Sequence, residues 1–156
     1  MLFRSYYYYV TQMREQEFWR LVKVDFTRNQ SIGKLVGRLG LMNKAGDLEF
    51  YQVEAAVREG ALIVVFDPEI RTIEPVMTSV FPVREVTGPY FGILYLMTWD
   101  HTYAFSPCLI SRKPLFDWAT EQDPAPSEIA DKLDSLWGRE FDQSNKVLQR
   151  VNRCAP

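Results

Sequence analysis

Between residues 48 and 110 the chain alternates apolar, β-branched and aromatic runs with short clusters of turn residues. The runs cover 48–58, 61–66, 72–86, 90–99 and 102–110, and their lengths and period-two patterning predict strands. In the first, Tyr51, Val53, Ala55 and Val57 share one parity, while Phe50, Gln52, Glu54 and Arg58 share the other. That is the alternation of a half-buried strand, with Glu54 on its wet face or inside a polar barrel lumen, ion-paired to a neighbouring arginine. The run 61–66 is apolar on both parities, the pattern of a strand covered on both faces, and Asp67-Pro68 stops it. Pro75 and Pro82 cannot donate ladder hydrogen bonds, so 72–86 reads as an edge, bulged or divided strand. In 90–99, Phe91, Ile93, Tyr95, Met97 and Trp99 take one parity, against Gly92, Leu94 and Leu96 on the other. Asp100-His101 reads as the tip of the following hairpin.

Upstream the pattern continues. The four consecutive tyrosines Tyr6 to Tyr9 open a β-prone stretch over 6–10 and place two rings on each face of a strand. Residues 11–16 are polar, read as a turn or a short helical piece. Over 18–26, Phe18, Val22, Val24 and Phe26 share one parity, opposite Lys23 and Asp25, a strand pattern interrupted by Arg20. Two helical turns over 15–22 fit the same residues. Gly33, Gly37 and Gly40 would each cost roughly 1 kcal/mol inside a helix relative to alanine, and they fit a bent strand or a barrel corner instead. Asn43-Lys44-Ala45-Gly46-Asp47 and Glu59-Gly60 are turns.

After Pro114 the pattern changes. Asp123-Pro124-Ala125-Pro126-Ser127 enters a helix over 127–141, with Ser127 as its N-cap and Glu128 in its first turn. Ile129, Leu133, Leu136 and Trp137 form a core-facing stripe. Val147, Leu148 and Val151 suit a further short helix or strand. Sequential short strands joined by turns predict a mainly β fold with a C-terminal helix. A single antiparallel meander barrel of calycin type over 1–156 is favoured, because closure removes exposed edges. A sandwich or open wrapped sheet, and another α+β arrangement, are the alternatives.

Composition narrows the function classes. At 156 residues the chain suits one domain, and 14% aromatic content favours strands around a filled core or a ligand cavity. A net charge of −2 argues against wholesale binding to nucleic acid or anionic membranes. Residues 1–46 carry eight Lys/Arg against three acids, +5, leaving −7 in the remainder; a basic front could face a polyanion or an acidic partner, and a solvated face balanced in space by the acidic part is the favoured reading. Cys108 and Cys154 lack metal-ligand spacing. The N-terminus lacks a secretory signal pattern, and no apolar run approaches the ~20 residues of a membrane-spanning helix. A cytoplasmic protein with reduced thiols is expected.

From residue 90 onward the chain resembles the end of a lipocalin. The residues that carry the likeness are the strand 90–99, Asp100-His101-Thr102-Tyr103-Ala104 and Leu109-Ile110-Ser111-Arg112-Lys113-Pro114. With them go the helix over 129–137, Gly138-Arg139-Glu140-Phe141-Asp142, and Cys154, which falls where many lipocalins keep a late cysteine. The resemblance implies a calycin-like barrel with a helix packed on its wall. The family's Gly-x-Trp is missing, since Trp19 has no glycine partner, and the loop that should separate Tyr103-Ala104 from Leu109 is nearly absent, which leaves the last two strands short.

Catalytic signals are weak. His101 beside Asp100 fits a solvated turn better than a base with its orienting carboxylate, and a single histidine provides no histidine-rich metal site. The run from Gly33 to Gly40 lacks the Gly-Lys-Ser/Thr ending of a phosphate loop and reads as twisted strand. No metal or cofactor is expected. Tyr6, Tyr8, Trp19, Phe26, Phe50, Tyr51, Phe91, Tyr95 and Trp99 either line a ligand pocket or fill the core. Aromatics interleaved with Arg20, Lys23 and Arg38 could stack nucleic-acid bases, a reading the net charge disfavours. The leading expectation is a non-enzymatic domain that binds a small apolar or amphipathic molecule in a barrel interior. The alternatives are a protein-interaction or homodimerising module with a packed core, and an enzyme with a Tyr/Glu acid–base pair in the barrel mouth.

Overall fold

A half-apolar strand must bury one face, and a meander of such strands does so without exposed edges by curling until its first strand meets its last. The computed structural model describes residues 2–13, 16–42, 46–69, 76–83, 87–97, 103–118 and 124–144. Within them run β1 (Leu2–Met13), β2 (Gln16–Asn29), β3 (Lys34–Met42), β4 (Leu48–Arg58), β5 (Ala61–Pro68), β6 (Met77–Pro82), β7 (Tyr90–Met97), β8 (Tyr103–Ser111) and the helix α1 (Ser127–Ser144). The eight strands form one closed barrel in sequence order. β1 and β8 close it, with Tyr6 opposite Ser111 and Tyr9 opposite Cys108.

The ladders pass a single interior parity around the barrel. Tyr7 pairs with Val22, Phe26 with Gly37, Gly37 with Val53, Val53 with Phe66, Val64 with Ser79, Ser79 with Leu94 and Tyr7 with Ile110. These inward residues form the main core. A second cluster lies outside the wall, where Leu133 of α1 packs with Tyr8, Trp19, Leu21, Leu109 and Trp118. Polar anchors fix the helix there: Trp19 Nε1–H donates to Asp134 Oδ1 at 2.7 Å, and Trp137 Nε1–H donates to the Gly92 carbonyl at 2.9 Å.

Several expectations change. The stretch 11–16 is not a turn or helical piece where it is described: β1 runs through Met13 and β2 starts at Gln16. The alternative helix over 15–22 is likewise replaced by strand. The Pro126 carbonyl accepts from the Ala130 amide, so Pro126 holds the capping position assigned to Ser127, and α1 extends past 141 to Ser144. Ile63 and Val65 on the outer side of β5 are only half-buried, because a barrel wall is covered from within and no described element packs over them. Pro82 ends β6, which pairs with β5 and β7 and so is not the edge strand offered as one reading of 72–86; 72–75 and 84–86 lie outside the described residues. The expected hairpin tip at Asp100-His101, the segment holding Val147, Leu148 and Val151, and Cys154 also lie outside them.

Two glycine positions are required by geometry. In the two-residue turn between β4 and β5, Glu59 and Gly60 have φ of 50° and 79°, the mirror-image turn that matches strand twist. At Gly92 a Cβ would run into the Val80 carbonyl and lie 2.7 Å from the Phe81 ring. Gly92→Ala is therefore expected to destabilise the fold by roughly 3 kcal/mol, read from urea unfolding. A loss below about 0.5 kcal/mol would show that the β6–β7 contact is not this close.

Candidate functional site

The interior is spanned by one side chain. Tyr7 on β1 reaches across to β6, where its hydroxyl lies 2.5 Å from Ser79 Oγ. On the way its ring packs against Phe66 at 4.9 Å, Phe81 at 6.2 Å and Tyr9 at 5.5 Å between centroids. Tyr7, Phe66, Phe81, Val24, Val53, Val64, Ser79 and Cys108 are all buried, so this belt is filled by side chains, as expected for the narrow interior of eight strands.

The belt encloses a polar trio. The Cys108 thiol hydrogen-bonds to both Tyr7 and Ser79. Burial pushes the Cys108 thiol up to about 12, against the opposing effect of its bonds to Tyr7 and Ser79. Burial likewise holds the Tyr7 hydroxyl well above its ordinary value, with Cys108 adding to the rise and the Ser79 bond opposing it. At neutral pH both groups keep their protons, so the trio contains neither a thiolate nucleophile nor a phenolate base. It is a hydrogen-bonded knot inside an apolar core, where an unpaired hydroxyl would be costly.

Toward the β1–β2 hairpin the interior becomes more polar. Tyr9, one inward position beyond Tyr7, lies directly opposite Arg20 and hydrogen-bonds to it. Burial raises the Tyr9 hydroxyl, and the Arg20 charge partly offsets the rise. Arg20, which interrupts the strand pattern in sequence, thus sits on the inner face and not outside. On β8, one inward position beyond Cys108, Ser106 Oγ is buried with no hydrogen-bond partner among the described residues.

The nine aromatics read as pocket candidates do not share one cavity. Phe26 and Tyr51 are in the barrel core. Tyr8 and Trp19 are buried outside the wall, with Tyr6 and Phe91 packed against the same cluster. Phe50 lies on the outer face beneath the Arg38 guanidinium, 3.8 Å from its ring centroid. Tyr95 is exposed and packs against Phe105. Trp99 is outside the described residues. Tyr6 also lines an open outer groove of about 490 Å³ with Leu21, Lys23 and residues 114–118.

The remaining charge follows the solvated reading. Glu54, on the wet face, pairs with Lys34 at 3.1 Å. Arg38 forks onto Glu69 at 2.6 and 2.9 Å, holding that carboxyl below its ordinary value, and Arg4 does the same to Asp25. Two of these pairs join the basic front of the chain to its acidic remainder. Arg20 lies inside the barrel while Lys23 and Arg38 lie outside, so the three do not make one basic surface. No group of acidic, histidine and cysteine side chains suited to a metal occurs among the described residues. No described helix is long and apolar enough to cross a membrane.

The sequence pattern did not bring Tyr7, Tyr9, Arg20, Ser79, Ser106 and Cys108 together as one interior site. The signal for Arg20 was its parity with Val22 and Val24. Ser79 and Ser106 carry no such signal, because only closure tells which side of β6 and β8 is inside. Comparison with protein-family models, curated proteins and solved structures finds no match. At the level of architecture, the closed eight-stranded antiparallel meander with its C-terminal helix is consistent with a calycin-like barrel, and no family is shown.

Tyr7→Phe should cost about 1–3 kcal/mol in urea unfolding, since it strips a buried partner from Ser79 and Cys108. A neutral result would mean that the trio is not a net constraint. The Cys108 thiol gives a pH signature. Its folded value is raised to about 12 from 9.0, so its contribution to stability is intact below pH 9 and is lost as pH rises toward 12. Stability should fall there by up to about 1.4 kcal/mol per pH unit from this thiol. Cys108→Ala should flatten that slope in urea titrations, and an unchanged slope would contradict the assignment.

Proposed function

We propose that the chain is a non-enzymatic binding domain that takes a small amphipathic molecule into the end of the barrel lined by Tyr9, Arg20 and Ser106. The observation that carries this reading is the buried, unpartnered Ser106 hydroxyl on the same inner face as the Tyr9–Arg20 pair. A buried polar atom without a partner calls for an explanation, and an incoming polar head group is one. The filled Tyr7–Phe66–Phe81 belt forms a floor, so the molecule is short and enters from the β1–β2 hairpin end. Arg20 supplies a cationic donor and Tyr9 a hydroxyl, which favour an acidic head, while Leu39, Tyr51 and Leu94 offer apolar wall. The likeness of residues 90–114 to the end of a lipocalin is in keeping with this reading.

Decanoate and decanol serve as probes that differ in the head group. Decanoate should raise the melting temperature of the protein, and Arg20→Met should weaken its binding roughly tenfold or more while changing decanol binding less than about threefold. Phe105→Glu, on the outer wall, should leave both shifts in place. No shift with either probe at millimolar concentration, in a protein shown by circular dichroism to be folded, would overturn the reading.

A further inference from the structure

The outer wall of β5 to β8 carries two cross-strand rows without a charged residue. Ile63 pairs with Val80, Val80 with Ile93 and Ile93 with Pro107; Val65 pairs with Thr78, Thr78 with Tyr95 and Tyr95 with Phe105. All lie on the parity opposite the core. Phe105 is 63% exposed, Val80 42% and Tyr95 37%, and the Tyr95 and Phe105 rings pack 5.3 Å apart to form a raised apolar ridge. The neighbouring wall, where Phe91 and Leu109 face outward, is already covered by α1 and the segment after β8. The pattern of 61–66, apolar on both parities, is that of a strand with two covered faces, and the barrel supplies one cover.

We propose that this face is a self-association surface, whose occupant is the same face of a second copy of the chain. Three arguments select a second copy. First, a two-fold contact brings each residue close to its own counterpart, so any charge near the axis would meet its like. These rows carry none, while Glu54 and Arg58 lie just outside them on β4, in the position of a polar rim. Second, the face is a continuous piece of sheet. Its strands hold the outward side chains in cross-strand register, and two such walls can pack face to face as sheets do.

Third, the area suits a dimer of modest affinity. Four strands about 5 Å apart and two rows about 7 Å apart, with side-chain relief, present roughly 300–400 Å². A standard interface takes about 800 Å² from each partner, as an apolar core within a polar rim. The rows are the size of that core, and the outward residues of β4 and the edge of β5 supply the rim. The surface is independent of the interior binding reading, and loss of one leaves the other standing.

Sedimentation velocity on the full chain from about 1 to about 200 μM tests the proposal. The wild-type protein should move from monomer toward twice the monomer mass with rising concentration. Phe105→Glu should weaken association at least about tenfold, and Val80→Lys, in the other row, should do the same. Both positions are exposed, so the melting temperature at micromolar concentration should stay within a few degrees of wild type. A wild-type protein that remains monomeric at the highest concentration would overturn the proposal. Equal dimerisation of both charged variants would also overturn it. Uptake of a monomeric wild-type protein by phosphatidylcholine vesicles would assign the face to lipid and count equally against a second copy.

Discussion

Closure of the sheet by β1 against β8 is the constraint on which the rest of the structure depends. Before closure every strand has two equivalent faces. Once Tyr7 stands opposite Ile110 and Tyr9 opposite Cys108, one parity on all eight strands is committed to the interior. A one-residue slip at this seam would reverse every inward and outward side chain on the slipped strand. The side chains make that slip costly, because Tyr7 then could not reach Ser79 and the polar trio would lose its knot.

The same seam makes the first strand serve two cores. Tyr7 and Tyr9 fill the barrel, while Tyr8, on the opposite face of the same strand, is buried under the segment that follows β8, whose Leu115 amide donates to its hydroxyl at 3.0 Å. Tyr6 packs beside it. A run of identical residues therefore works without ambiguity of composition, since tyrosine has apolar surface enough for burial and a hydroxyl that must be placed. The helix completes the outer core through Leu133, and its two tryptophan hydrogen bonds orient it on the wall. Among the described residues nothing comparable packs on the wall of β5 to β8, where Val80, Tyr95 and Phe105 are exposed and apolar nonetheless.

Much of the fold was legible because it rests on local pattern. The hairpin between β3 and β4, the tight turn at Glu59-Gly60, the parity of β4 with Glu54 outward, the two-and-two split of the tyrosines and the stripe of Ile129, Leu133 and Trp137 all follow from period and turn chemistry. The candidate site was much less legible. In β7 the aromatic parity of Phe91 and Tyr95 looks like the core face, yet the smaller Gly92 and Leu94 point inward, because Gly92 must pass against the Val80 backbone. Arg20 looks like a break in β2, but its charge is tolerable inside because it lies near the barrel end and bonds to Tyr9.

By itself the sequence determined most of the strands, the tight turns between them and the amphipathic helix, and it favoured an antiparallel meander, since each depends on neighbours close along the chain. It also determined that charge would be balanced on the surface, as the Lys34–Glu54 and Arg38–Glu69 pairs show. Only the tertiary structure decided which parity is interior, that Tyr7 bridges β1 to β6, that Ser106 and the Tyr9–Arg20 pair share one inner face, and that Val80, Tyr95 and Phe105 stand exposed on the outer wall. Alternation states that a strand has two unlike faces; only the long-range pairing of β1 with β8 states which of them the barrel encloses.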